Sequence, residues 1–251
     1  MKRILLEIQF DGTNYHGYQL QDNVISVQQE LEEKLSILFQ EKVVITGASR
    51  TDTGVHIKQT YAHFDTEKEI PKDALRRLNF MLPGDIALNK LVEVGPKFHS
   101  RFDAIQRQYI YHIHYKKDPF LINKSLHFPY QPLNLEKMNE AADFIKTQTD
   151  FKTFCKRNSH NKTTLCRIDK AEWRSTGPDA ICFEVYANRF LRGMVRGLVG
   201  TMMKVGKGKL TLDAFKAIVT NGDNRVAYFA VPGCGLYLTA VVYPEGLIPQ
   251  D

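Results

Sequence analysis

Residues 26–64, SVQQELEEKLSILFQEKVVITGASRTDTGVHIKQTYAHF, carry the pattern that decides the fold. Ser26 stands three residues before Gln29, the signature of a capping box at a helix start. Val27, Leu31, Leu35 and Leu38 then recur at helical spacing, so a helix is expected over 27–39. KVVITG (42–47) reads as a strand, ASRTDTG (48–54) as a loop, and IKQTYAHF (57–64) as the returning strand.

Upstream, residues 3–10 alternate as a strand does, and DGTNYHGYQ (11–19) is a turn-rich connection. Downstream, Pro71 opens a second helix to about Met81, Pro83-Gly84 makes a turn, and 86–94 reads as a strand. Strand, helix, strand, strand, helix, strand is the order of a ferredoxin-like, split βαβ unit. RNA-recognition modules share it, although a fold alone implies no function. The second half offers a long strand at 106–115 and a helix over 135–147 capped by Asn134. Strands at 163–175 and 180–187 meet at Gly177-Pro178. Helices over 189–204 and 212–220, the latter capped by Thr211, precede a last strand at 235–243. The expected class is α+β, with an N-terminal half over 1–100 and a C-terminal half over 101–251. The halves share an inventory of elements but no sequence repeat.

The chain has 251 residues, 43% hydrophobic and 25% charged, which excludes wholesale disorder and allows a sizeable core. A net charge of +6 suits a polyanionic partner. Cys155, Cys166, Cys182 and Cys234 form no CxxC pair and read as reduced thiols. His160, between Cys155 and Cys166, is the position that would complete a metal set there. The opening MKRILLEIQF lacks the features of a signal peptide, and no run of about 18 apolar residues exists, so a cytoplasmic location is expected. No GxxxxGK[ST], HExxH, GxSxG or Rossmann glycine set calls for ATP, zinc or a dinucleotide.

Four segments concentrate chemistry. In SRTDTGVH (49–56), Arg50, Asp52 and Gly54 share one tight turn. Such residues hold turns on conformational grounds alone. They also suit a carboxylate at the mouth of a sheet, for which Arg50 is the local cation that keeps it ionised. In RQYIYHIHY (107–115), strand alternation puts Arg107, Tyr109, Tyr111, Ile113 and Tyr115 on one face. Aromatic planes beside a guanidinium are what unstacked bases bind, and an ordinary half-buried strand fits equally. His112 and His114 read as packed or solvated rather than metal-bound. From 189 to 209 there are six basic residues and no acidic one, with Arg189, Arg192 and Arg196 at helical spacing. Glycines at 193, 197 and 200 in that helix suggest close approach of another backbone. Residues 152–170 hold six Lys/Arg against Asp169, a basic loop suited to a phosphate backbone or simply solvated.

SRTDTGVH closely resembles the signature of the tRNA pseudouridine synthase A family. FDGTNYHGYQ (10–19), LPGDIA (82–87), FHSRFDA (98–104), the Arg107, Tyr109, Tyr111 alternation, Asn188 before Phe190-Leu191, MVRGLVG (194–200), VGKGKL (205–210) and GLYL (235–238) follow in family order. The resemblance implies an isomerase that converts uridine to pseudouridine at positions 38 to 40 of the tRNA anticodon arm. It implies no cofactor and no metal, a homodimer, and two ferredoxin-like halves with antiparallel sheets joined across a central basic cleft. Asp52 matches the essential aspartate, Tyr109 the tyrosine that stacks on the target base, and Arg50 and Arg196 the substrate-binding arginines. Arg196 matches the expected partner of the Asp52 carboxylate. Ser49, Tyr18, Ile57 and Gly193 depart from the family pattern, and Tyr18 and Gly193 bear on choice of substrate position. A non-catalytic RNA-binding protein lacks support in any RNP1-like run, and a hydrolase using Asp52 lacks a second carboxylate or metal set beside it.

Overall fold

The computed structural model describes residues 1–156 and 162–249, which group into two compact units. The first holds Met1–Ile105 and the C-terminal residues from Leu238, and the second holds Gln106–Tyr237.

In the first unit β1 (Lys2–Phe10), α1 (Val27–Phe39), β2 (Thr46–Gly47), β3 (His56–Thr66), α2 (Ala74–Met81) and β4 (Ile86–Val94) follow in order. β1 lies between β4 and β3, antiparallel to both, and β2 pairs with the other edge of β3. That is the ferredoxin-like strand order. Ile4, Leu6 and Ile8 on one face of β1 and Leu5 on the other are fully buried, as a central strand covered on both sides requires. Ser26 caps α1 by accepting from the Gln29 amide at 3.3 Å, and Val27, Leu31, Leu35 and Leu38 are buried. The strand expected over 42–47 shrinks to Thr46–Gly47. Its backbone donors are used elsewhere: the Val43 amide donates to Ser36 Oγ and the Ile45 amide to Glu32 Oε1, both on α1.

The second unit runs β5 (Gln106–His114), β6 (Leu126–His127), α3 (Leu135–Lys146), β7 (Ile168–Gly177), β8 (Ala180–Ala187), α4 (Met194–Gly206), α5 (Leu212–Asn221) and the start of β9 (Leu236–Val242). β8 lies between β5 and β7, antiparallel to both, and the first residues of β9 lie beside β5. The ferredoxin-like order recurs. Asn134 and Thr211 cap α3 and α5 as expected, accepting from the Lys137 and Ala214 amides. α3 packs on β7 and against α4 and α5. β7 starts at Ile168 rather than 163, because 164–166 bond back to 149–151. The helix expected from 189 starts at Met194, because Gly193 takes φ +75°. The fold is mixed α+β with mainly antiparallel strands. No described helix is long and apolar enough to cross a membrane.

Candidate active site

In the first unit the loop between β2 and β3 is held backbone to backbone by the turn-rich stretch after β1. The Tyr18 amide donates to the Thr51 carbonyl at 3.2 Å, and the Gly54 amide to the Tyr15 carbonyl at 3.4 Å. Asp52 accepts the Val55 amide through its own carbonyl at 3.3 Å, which closes the turn with Gly54 at φ +72°. A side chain on Gly12 would put its Cβ 2.0 Å from the Val55 carbonyl oxygen. Glycine is therefore required where two segments meet at backbone distance.

His56, 3% exposed, anchors the start of β3: its Nδ1 accepts the Gly12 amide at 3.1 Å. Asp11 Oδ1 lies 3.0 Å from the same nitrogen. A neutral ring that accepts the amide has no proton at Nδ1 for the carboxylate, so this contact is not an ion pair in that state. Asp52 is half-buried and Arg50 is exposed. No ion pair joins Arg50 to Asp52 among the described residues. Arg50 instead lines a pocket of the first unit with Tyr18, His99, Arg101 and Phe102.

In the second unit Arg107, Tyr109 and Tyr111 share one face of β5. Tyr109 stands edge-on to Phe190, centroids 5.0 Å apart at 85°. Arg107 Nη1 donates to the Asn188 carbonyl at 3.0 Å. Tyr111 is fully buried and donates to the Pro232 carbonyl at 2.9 Å, so it belongs to the core rather than to a base-stacking surface. Burial pushes its phenol far above the ordinary range, opposed by the nearby Arg196 charge. Arg196, in the first turn of α4, donates through Nε to the Val231 carbonyl at 2.7 Å and through Nη2 to the Phe229 carbonyl at 3.5 Å. The guanidinium is thus aimed by the 229–231 segment.

Arg189 and Arg192 precede the helix, so the three-arginine stripe does not form. The glycines of α4 behave as expected. A Cβ on Gly200 would come 2.2 Å from the Tyr228 carbonyl oxygen, and one on Gly197 would meet the Phe229 and Phe154 rings. The histidines of β5 are packed: His112 lies edge-on to Tyr237, and His114 stacks on His127 at 5.0 Å. Burial holds His114 below the usual imidazole range. All four cysteines are free thiols, and no cluster among the described residues has a metal-ligand composition. His160 and Arg157 of the basic loop lie outside the described residues.

The packing of Phe190 on Tyr109 and the Phe229 and Val231 carbonyls that hold Arg196 escape sequence reasoning, because each contact is set by a distant segment. Of the positions that depart from the family pattern, Ile57 is buried, Gly193 uses a left-handed φ, and Tyr18 is 2% exposed with its ring over Gly47.

The family model for tRNA pseudouridine synthase matches residues 7–103 and 148–244. The chain is 44% identical over 246 residues to the tRNA pseudouridine synthase A of Azobacteroides pseudotrichonymphae, covering 98% of each. It is 43% identical over 253 residues to the protein of the same name from Parabacteroides distasonis, covering 100% of each. Against that from Bacteroides thetaiotaomicron it is 40% identical over 255 residues, covering 100% of this chain and 94% of the relative. A family match across both units, with relatives this similar over their full lengths, settles the lineage: the chain belongs to the tRNA pseudouridine synthase family, isomerases that convert uridine to pseudouridine in tRNA.

Proposed function

We propose that this chain isomerises uridine to pseudouridine at positions 38 to 40 of the tRNA anticodon arm, with Asp52 as the essential carboxylate. Tyr109 receives the uracil of the everted nucleotide, and Arg50 and Arg196 bind the substrate. The enzyme acts as a homodimer in the cytoplasm and uses neither metal nor cofactor.

The observation that carries this reading is the Asp52 loop. Its backbone is tied at Thr51 and Gly54 to the 15–18 segment, which fixes the loop that carries the carboxylate. A base inside a stem is unreachable until it leaves the stack, at a cost of a few kcal/mol. The N1–C1′ bond then breaks, the uracil turns, and a C5–C1′ bond forms. The C5 proton leaves to water and N1 gains one, so the product is an isomer. Whether the carboxylate attacks C1′ or takes a ribose proton, the reaction begins with it ionised. An arginine whose position is fixed by carbonyls, as Arg196 is, serves a carboxylate or phosphate better than a mobile one.

The test is release of tritium from C5-labelled uridine in tRNA. Wild type releases it. Asp52→Ala abolishes release, and Tyr109→Ala loses turnover while retaining tRNA in a gel shift. Undiminished release by Asp52→Ala removes the carboxylate from the mechanism, and no release by wild type from any tRNA defeats the isomerase reading.

A further inference from the structure

The pocket of the first unit has a volume of about 260 Å³ and is bordered by Tyr18, Gly47, Arg50, His99, Arg101 and Phe102. Asp52 does not line it. Its rim is built rigidly. The Ser100 amide donates to His63 Nδ1 at 3.2 Å, Ser100 Oγ donates to the Thr46 carbonyl at 2.6 Å, and Tyr243 Oη donates to the Ser100 carbonyl at 2.5 Å. The His99 amide donates to Asp103 Oδ2 at 2.7 Å, and His99 Nδ1 accepts the Arg101 amide at 3.2 Å.

This scaffold holds Phe102 in the open. The His99 ring backs it at 4.2 Å, yet Phe102 is 73% exposed. The Arg101 guanidinium stands 5.8 Å from the Phe102 ring centre. Beside them Tyr18 is 2% exposed, and its hydroxyl has no hydrogen-bond partner. That hydroxyl lies over Gly47, where an added Cβ would be 2.7 Å away. Tyr18 borders a pocket whose lining contains two arginines and no acidic residue. An exposed aromatic plane and guanidinium groups make up the equipment that grips an unstacked nucleotide.

We propose that this pocket binds a second unpaired nucleotide of the tRNA, distinct from the uridine that reacts. Its base stacks on Phe102, and its phosphate meets Arg50 and Arg101. The reacting uridine is excluded because the carboxylate that must reach its sugar does not line the pocket. The ligand class rests on the proposed function.

The experiment measures tritium release and, in an Asp52→Ala background, retention of tRNA on filters over a range of salt. Phe102→Ala raises KM about tenfold with kcat within about twofold, as loss of one stacked base predicts, and Phe102→Trp restores it. Arg101→Gln lowers the slope of log affinity against log salt by about one, whereas Phe102→Ala leaves the slope unchanged. Unchanged KM and affinity in both Phe102→Ala and Arg101→Gln overturn the subsite. So does failure of Phe102→Trp to restore binding, which marks Phe102 as framework. If wild type releases no tritium, the isomerase reading falls, and the affinity differences in the Asp52→Ala background still decide the subsite.

Discussion

Gly17 has no room for a side chain. Its φ is +100°, and a Cβ there would stand 2.5 Å from the carbonyl oxygen of Thr51, the residue before Asp52. Gly17→Ala therefore combines backbone strain of about 1–3 kcal/mol with a push on the loop that carries Asp52. A displacement of about 1 Å at a reacting group costs roughly 100-fold in rate. The expected result is a kcat about 100-fold lower with tRNA affinity nearly unchanged, read by single-turnover tritium release beside filter binding. Equal losses in rate and affinity would point to unfolding instead. At this scale the sequence marked the segments where acidic, aromatic and basic residues concentrate, and the family resemblance singled out Asp52, Arg50, Tyr109 and Arg196 within them. It did not show what aims them. The clamp on Thr51 comes from a segment more than 30 residues upstream, and the carbonyls that orient Arg196 from one more than 30 residues downstream.

Among the elements, α4 shows where local signals suffice and where they do not. The apolar spacing and the meaning of its glycines were legible, because periodicity and the helix cost of glycine are local properties. The starting residue was not, because Gly193 adopts a left-handed φ that its neighbours do not demand. Likewise Ser26, Asn134 and Thr211 were readable as caps, whereas the loss of the strand at 42–45 depended on where Ser36 and Glu32 of α1 point. Gly200→Ala tests the packing directly. Alanine gains about 1 kcal/mol of helix propensity over glycine. Against this, the new Cβ would be 2.2 Å from the Tyr228 carbonyl oxygen, which is backbone and yields poorly. Overpacking costs about 1–3 kcal/mol, and at this distance the upper end applies, so the variant should lose about 1–2 kcal/mol. The check is a lower denaturant midpoint at unchanged slope. Gly84→Ala, with open space around the added carbon, is the control and should stay within about 0.5 kcal/mol of wild type.

For the molecule as a whole, the net charge of +6 was legible by counting, and it matches a polyanionic substrate. The response to acid was not legible, because it depends on which histidine is buried and beside what. Burial, with smaller contributions from Arg3 and His99, holds His63 down to about 4. Hydrogen bonds from Arg3 hold Asp65 below its ordinary value. Burial opposes ionisation of Glu184, yet hydrogen bonds from Lys170 and Arg174 outweigh it and keep this carboxyl low as well. The signs agree. Unfolded chain protonates His63 near pH 6.5 while the folded protein resists until about 4, so the unfolded state binds more protons between those values and stability falls with pH there. The two carboxylates contribute stability above their ordinary range, which is lost as pH falls through their folded values, chiefly below pH 4. His63→Asn separates the contributions, because the amide oxygen can still accept the Ser100 amide while nothing titrates. Wild type should lose about 2–3 kcal/mol of unfolding free energy between pH 6.5 and 4.5 that the variant retains, since each displaced pKa unit is worth about 1.4 kcal/mol. Parallel stability curves over that interval would show that His63 is not the group whose burial makes the fold sensitive to acid.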